Sequence, residues 1–326
     1  MYIERQISGK ILELTKYFPV VCITGPRQSG KTTLIRVLFP KLPYVSFEDP
    51  DNRLNFTEDP KGFLSPFQEN GAVFDEVQQI PSIFSYIQSL VDDKLFKGTF
   101  ILSGSQNFLL LQSITQTLAG RIGIANVFPF SNMELHLRME ANWEKQAFRG
   151  FYPRIFDKNI PHHIFYPPYI QTYIERDILN IKSITDKTVF LRFIKLCAGR
   201  TGQLLNYTQL ANDCGISVNT AKAWLSLLES SFIIFLLPPF YKNINKQLSK
   251  SPKLYFYDTG LLTYLLDIKS ADQMTYHYLK GSIFENFVIA EIMKQLNNNY
   301  STFSSFFIRD KTGNEVDLNI TIDKSA

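Results

Sequence analysis

The chain has 326 residues, 45% hydrophobic and 20% charged, enough to bury one large core or two to three smaller ones. That hydrophobic share excludes a wholly disordered chain, and 16 Gly with 16 Pro exclude a collagen-like or linker-dominated one. With 34 Lys and Arg against 30 Asp and Glu, the formal charge of +4 permits a nucleic-acid partner without demanding one.

In chain order, residues 1–17 predict a short amphipathic helix with Ile7, Ile11, Leu12 and Leu14 on its apolar face. The run Val20–Thr24 is β-branched and apolar throughout, which suits a strand buried on both faces. A glycine-rich turn leads to a helix over 31–39, ended by Pro40. Short apolar runs at 44–47, 72–74, 99–102 and 122–127 read as further strands, separated by helix-like stretches at 83–95 and 108–120. This alternation predicts an α/β fold with a parallel sheet covered on both faces. From 131 to 200 the chain is aromatic and helix-like, with 161–168 as its clearest loop. A helix–turn–helix and two extended runs follow over 204–260, then a helix over 282–295 and strands near 305–309 and 315–321. The cysteines Cys22, Cys197 and Cys214 form no CxxC pair, and the opening is charged and amphipathic, unlike a secretory leader. The strongly apolar run 232–237 falls far short of the about 20 residues a membrane span needs. A cytoplasmic protein with no membrane contact is expected.

Gly25-Pro26-Arg27-Gln28-Ser29-Gly30-Lys31-Thr32 fits GxxxxGK[ST] between a predicted strand and a predicted helix. Glycines let successive backbone N–H groups curl inward onto a phosphate, and the helix N-terminus adds a favourable dipole. Lys31 would reach the β- and γ-phosphates, Thr32 would ligate Mg²⁺, and the nucleotide contact runs through Thr33. The strand ending in Asp75-Glu76 supplies the complementary acids. Asp75 would hold the metal's water shell and Glu76 would align the attacking water. On its own such a strand end is a solvated terminus; downstream of a phosphate loop it indicates hydrolysis rather than small-molecule phosphorylation. After the strand at 100–102, Ser105 is the preferred reporter of the γ-phosphate, although a capped strand-to-helix turn explains the same residues.

The strings GPRQSGKTT, VFDEVQQIP, LSGSQ and LAGR, in that order, resemble a group of prokaryotic AAA-type ATPases that carry a C-terminal domain of uncharacterised function. The resemblance continues through GFYPR, YIQTYIERDI, LYFYDTGLLTYLL, FENFVIAEI and FFIRDKTGNEVDL, nearly the whole chain. It implies a P-loop NTPase sheet of order 5-1-4-3-2 over 1–135, a helical connection over 136–200, a winged helix over 201–262 and a partial restriction-nuclease-like α/β tail over 263–326. It also implies ATP and Mg²⁺ as ligands of Lys31, Thr32 and Asp75, Glu76 as the hydrolytic acid, and Arg121 as an arginine that senses or compensates phosphate charge. Phe151 stands where the group has a second glycine.

Residues 206–229 have helix–turn–helix grammar, with Gly215 at the turn, Ser217 as cap, and Val218, Ala221, Leu225 and Leu228 facing inward. Lys222 on the exposed face, with Lys242, Lys246, Lys250 and Lys253 in the wing, would suit a phosphate backbone. A winged helix used only for packing or protein contact explains the same pattern. In the tail, Glu285 and Asp317 match the first two acids of the nuclease-like motif, but no Glu-x-Lys follows, so metal-dependent cleavage is not expected. The expected function is Mg-dependent ATP hydrolysis that drives a conformational switch on an unidentified protein partner. The alternative is a nucleotide-gated DNA-binding protein with slow or no hydrolysis. A homo-oligomer would allow a neighbour's arginine to complete the site, with Arg154, Arg176 and Arg200 as candidates.

Overall fold

The computed structural model describes residues 2–93, 96–104, 117–135, 142–173, 186–240, 251–300, 302–310 and 312–322. The chain divides into two compact units, residues 2–128 and residues 129–326.

In the first unit the order is α1 (Ser8–Tyr17), β1 (Val20–Thr24), α2 (Lys31–Leu38), β2 (Tyr44–Ser46), α3 (Pro50–Glu58), α4 (Pro60–Leu64), β3 (Gly71–Asp75), α5 (Ile83–Val91), β4 (Thr99–Gly104) and β5 (Ile122–Asn126). The five strands form one sheet in the order β2-β3-β4-β1-β5, every pair parallel. This is the expected order 5-1-4-3-2 read from the other edge. All five residues of β1 are buried, and the period of two divides them between two cores. Val20 and Cys22 join Phe74, Phe100 and Leu102 on one face, while Val21 and Ile23 join Val73, Ile101 and Ala125 on the other. The first core is aromatic. Phe74 stacks on Phe100 with centroids 5.7 Å apart, and Phe96 stacks on Phe100 at 5.0 Å. Such pairs add about 0.5–1.5 kcal/mol each beyond burial. Ile7 and Ile11 at and within α1, with Leu34 and Ile35 of α2, close the second face. Because the strands are parallel, Thr24, Ser46, Asp75, Gly104 and Asn126 all lie at one edge, where ligands of open α/β sheets bind.

The second unit holds α6 (Trp143–Arg149), α7 (Pro153–Asp157), α8 (His162–Tyr169), α9 (Lys187–Ala198), α10 (Tyr207–Cys214), α11 (Val218–Ser230), β6 (Ile234–Leu237), β7 (Lys253–Phe256), α12 (Thr259–Leu265), α13 (Ala271–Tyr276), α14 (Lys280–Asn299), β8 (Phe303–Arg309) and β9 (Glu315–Ile322). The expected loop at 161–168 is instead helix α8, with Pro167 and Pro168 inside it. Burial of His162, Phe165, Tyr166 and Tyr169 overrides the local cost of the prolines. The helix–turn–helix forms with Gly215 left-handed at φ 77 and the Ser217 hydroxyl accepting from the Thr220 N–H at 3.0 Å. Ala221, Leu225 and Leu228 are buried as expected, together with Trp224 and Leu227. β6 and β7 then pair antiparallel, as do β8 and β9. Among the described residues no helix is long and apolar enough to cross a membrane.

Two of the sequence strings and helix α8 meet at Asp258. Its buried carboxylate accepts from the Phe151 N–H at 2.8 Å, the Tyr166 hydroxyl at 2.6 Å and the Leu261 N–H at 2.7 Å, joining GFYPR, α8 and the start of α12. Burial pushes the Asp258 pKa up, and the bond from Tyr166 opposes it. Gly150, at φ +79, and Gly260 leave room for Tyr166, since a Cβ on either would overlap its hydroxyl. Gly150→Ala is therefore expected to destabilise the second unit by roughly 2–4 kcal/mol, from clash and left-handed strain together. Urea unfolding should show a lower midpoint at constant slope, and an unchanged midpoint would remove Gly150 from this packing role.

Candidate nucleotide site

The glycine-rich segment behind β1 is curled by backbone that few residues adopt. Gln28 and Gly30 sit at φ 62 and φ 91, and Gly25 at φ +147. A Cβ on Gly25 would run into the Val127 carbonyl, so only glycine lets the loop lie against the chain leaving β5. Helix α2 begins at Lys31, so its N-terminus directly follows the loop, the position where helix N–H groups favour an anion. Lys31 is only 7% exposed, and its ammonium donates to the Gly25 and Pro26 carbonyls at 2.9 and 2.8 Å. Burial brings its pKa down to about 8, against the pull of the Glu76 and Asp75 carboxylates and with a push from Arg27. Arg27 is half-buried, Gln28 exposed, and Thr32 and Thr33 exposed on the first turn of α2. Ser29 is fully buried, and its hydroxyl has no hydrogen-bond partner among the described residues.

The acids stand opposite this loop. Asp75 ends β3, and its carboxylate is enclosed by hydroxyls. Thr32 donates to Oδ2 at 2.9 Å, the Tyr44 hydroxyl donates to the same oxygen, and Ser103 donates to Oδ1 at 2.5 Å, beside the Glu76 N–H at 3.0 Å. Thr32 and Asp75, far apart in sequence, are thus in direct contact. Glu76 follows in the left-handed region at φ 55, a conformation that costs a non-glycine residue about 1–2 kcal/mol and recurs at functional sites. The Gln78 amide donates to its carboxylate. Burial raises the Glu76 pKa, while the Lys31 charge and the Gln78 bond oppose the rise. A carboxylate raised toward neutrality is a better proton acceptor near neutral pH.

Arg121 does not join this site. It precedes β5, whose first residue Ile122 is level with Val20, so it lies at the opposite edge of the sheet from the loop after Thr24. Five strand residues at about 3.3 Å each separate those edges by about 16 Å. There Arg121 forms a two-pronged pair with the exposed Asp92, at 2.5 Å from Nε and 3.0 Å from Nη2, which corrects the sensing role expected from the LAGR string. Ser105 lies outside the described residues, as do Lys242, Lys246, Lys250 and Arg176. Lys222 is exposed, with its ammonium 5.5 Å from the Tyr207 ring centroid.

Lys253 requires a second correction. Rather than facing solvent on a wing, it opens β7 with 3% exposure and is bonded to Glu285 at 2.9 Å, Asp317 at 3.0 Å and Glu315. Burial would push its ammonium down, but the bonds it donates to Glu315, Glu285 and Asp317 outweigh it and hold the pKa above the usual lysine range. The Tyr255 hydroxyl donates to Glu285 at 2.6 Å. Glu285 and Asp317 therefore do converge, but around an internal cation that ties β7, α14 and β9 together. Among the described residues no group of three or more His, Cys, Asp and Glu side chains is placed to hold a metal ion.

Sequence reasoning misses Tyr44, Arg5 and Gln78, and prefers Ser105 to Ser103. Tyr44 reaches Asp75 only because β2 pairs with β3 so that Ser46 is level with Asp75, and no local pattern encodes that register. The Arg36 guanidinium lies 4.3 Å from the Tyr44 ring centroid. Burial, then the bond to Asp75, raise the Tyr44 pKa, so its hydroxyl stays protonated as a donor. Ser103 was within the LSGSQ string, and its strand position level with Ile23 could have favoured it over Ser105. Arg5 is 4% exposed and donates to the Ser29 carbonyl at 2.8 Å and the Phe128 carbonyl at 2.7 Å, fastening the phosphate loop to the end of β5 from outside both motifs. Gln78 sits within VFDEVQQIP, and only the turn after Glu76 shows which of its two glutamines is buried.

Comparison with known proteins agrees with this geometry. Residues 17–136 match the family described as AAA domain, residues 140–272 a domain of unknown function (DUF8612), and residues 280–325 another (DUF4143). The chain is 28% identical to the uncharacterized proteins Mb2031c of Mycobacterium bovis and Rv2008c of Mycobacterium tuberculosis, over 99% of its own length and 72% of theirs. Among solved structures it resembles the Walker-type ATPase PABY2304 of Pyrococcus abyssi, with TM-score 0.54 and 15% identity, over 81% of this chain and 96% of that one. The first unit thus has the P-loop NTPase fold, with residues 17–136 matching the AAA domain model, and is followed by a largely helical C-terminal region.

Proposed function

We propose that this chain binds ATP with Mg²⁺ and hydrolyses the bond between its β- and γ-phosphates. The contact between Thr32 and Asp75, with Lys31 and Glu76 beside it, carries this reading, because it unites the two motifs in one place. A hydroxyl and a carboxylate are hard oxygen donors of the kind Mg²⁺ takes, so Thr32 and Asp75 fit as its holders. When bound, the ion would neutralise charge on the β- and γ-phosphate oxygens. Lys31 turns its ammonium from the Gly25 and Pro26 carbonyls onto those oxygens, while the N–H groups of residues 25–33 hold the phosphates from behind. Tyr44 and Ser103 keep the Asp75 carboxylate oriented, and Arg5 braces the loop. Glu76 accepts a proton from the attacking water as the water oxygen bonds to the γ-phosphorus. The bond from that phosphorus to the bridging oxygen breaks, leaving ADP and inorganic phosphate.

The alternation between triphosphate and diphosphate states is the switch we infer for action on a protein partner. The helix–turn–helix and the β6–β7 pair support reading residues 201–262 as a winged helix. DNA contact through it is not advanced, because Lys253 is consumed by three internal carboxylates. Release of inorganic phosphate from ATP tests the proposal. Release should require Mg²⁺ and stop on chelation with EDTA; release at the same rate in EDTA, or none with Mg²⁺, would overturn it.

A further inference from the structure

We propose that Gln78 is the second acceptor for the attacking water, fixing its orientation together with Glu76; the inference rests on the hydrolytic reading above. Gln78 lies in the tight turn Val77–Gln79 after β3, held by the Gln79 N–H to the Glu76 carbonyl at 3.0 Å. Its side chain is 7% exposed and bonded at one end only. The amide Nε2 donates to Glu76, while Oε1 is buried with no hydrogen-bond partner among the described residues. A buried carbonyl oxygen left unsatisfied forfeits the hydrogen bond it had with water, and such a group in a folded protein calls for an explanation. The bond to Glu76 also settles which way the amide points, because the flipped amide would set two acceptors against each other.

Water offers two protons and one reacting lone pair. A single carboxylate oxygen fixes one proton and leaves the molecule free to rotate about that bond, whereas a second acceptor aims the lone pair. Gln78 Oε1 takes the second hydrogen bond without taking a proton, and the transferred proton still goes to Glu76. The left-handed backbone at Glu76 is the device that brings side chains 76 and 78 together over one short turn.

The test uses Gln78→Met, which keeps the side-chain length without hydrogen bonding, and Gln78→Glu, which keeps an acceptor but loses the donor. Gln78→Met should lower kcat about 10–100-fold while the Kd for ATP and the thermal midpoint stay near parental. Gln78→Glu should retain turnover within about tenfold of parental, because it keeps an acceptor at the same position. Parental kcat in Gln78→Met, a kcat loss matched by an equal loss of ATP affinity, or a kcat loss in Gln78→Glu as large as in Gln78→Met would each overturn the inference. If the parental protein itself releases no phosphate, the hydrolytic reading fails first, and the variants are then not at issue.

Discussion

Glu76→Gln is expected to bind ATP with parental affinity and to lose turnover by about 10²–10⁴-fold, the range a general base contributes. The substitution preserves shape and removes only the capacity to accept a proton. It also leaves Asp75 and its four donors untouched, so the metal-holding side of the site persists. The pH dependence has a definite sign. Burial raises the Glu76 pKa, so the parental rate should fall as the pH drops through that raised value and the base becomes protonated. Glu76→Gln should lack this acid limb. Single-turnover phosphate release across pH, beside equilibrium binding of ATP, separates the two effects; a variant that hydrolyses at the parental rate would remove Glu76 from the chemistry.

Lys31→Ala is expected to weaken ATP binding about 10²–10³-fold, the loss of a buried, charge-assisted contact to phosphate. A further consequence follows from its lowered pKa of about 8 in the free protein. Triphosphate binding requires the ammonium form and stabilises it, so the bound pKa lies higher. Between the free and bound values each binding event must take up a proton, and affinity should fall by up to tenfold per pH unit above about pH 8. Below about pH 7 Lys31 is already charged and contributes no slope. Titrations in buffers of different ionisation enthalpy should show uptake approaching one proton near pH 9 in the parental protein and none in Lys31→Ala. Equal uptake in both would assign the proton to another group.

The two motifs were legible because their chemistry is local. A β-branched run before a glycine-rich turn places the phosphate loop, and an apolar run ending in Asp75-Glu76 places the acids at the same sheet edge once the strands are parallel. What escaped depends on register and partners. Tyr44 acquires its role from the pairing of β2 with β3, and Arg5 from the chain that leaves β5. Arg121 carries a positional signal that outweighs its string: a residue that precedes a parallel strand stands at the edge opposite the one that binds phosphate. Lys253 shares the spacing of the neighbouring lysines, yet it opens a strand whose four residues are all buried, and a buried ammonium needs carboxylate partners. The proline-flanked 161–168 segment misled because helix α8 is held by aromatic burial rather than by propensity.

The most direct measurement is a calorimetric titration of the purified chain with ATP in excess Mg²⁺, run in parallel on Lys31→Ala. The account predicts saturable heat with one-to-one stoichiometry in the parental protein and its disappearance in the variant. No saturable heat with either adenine or guanine triphosphates, and identical traces from the two proteins, would contradict it.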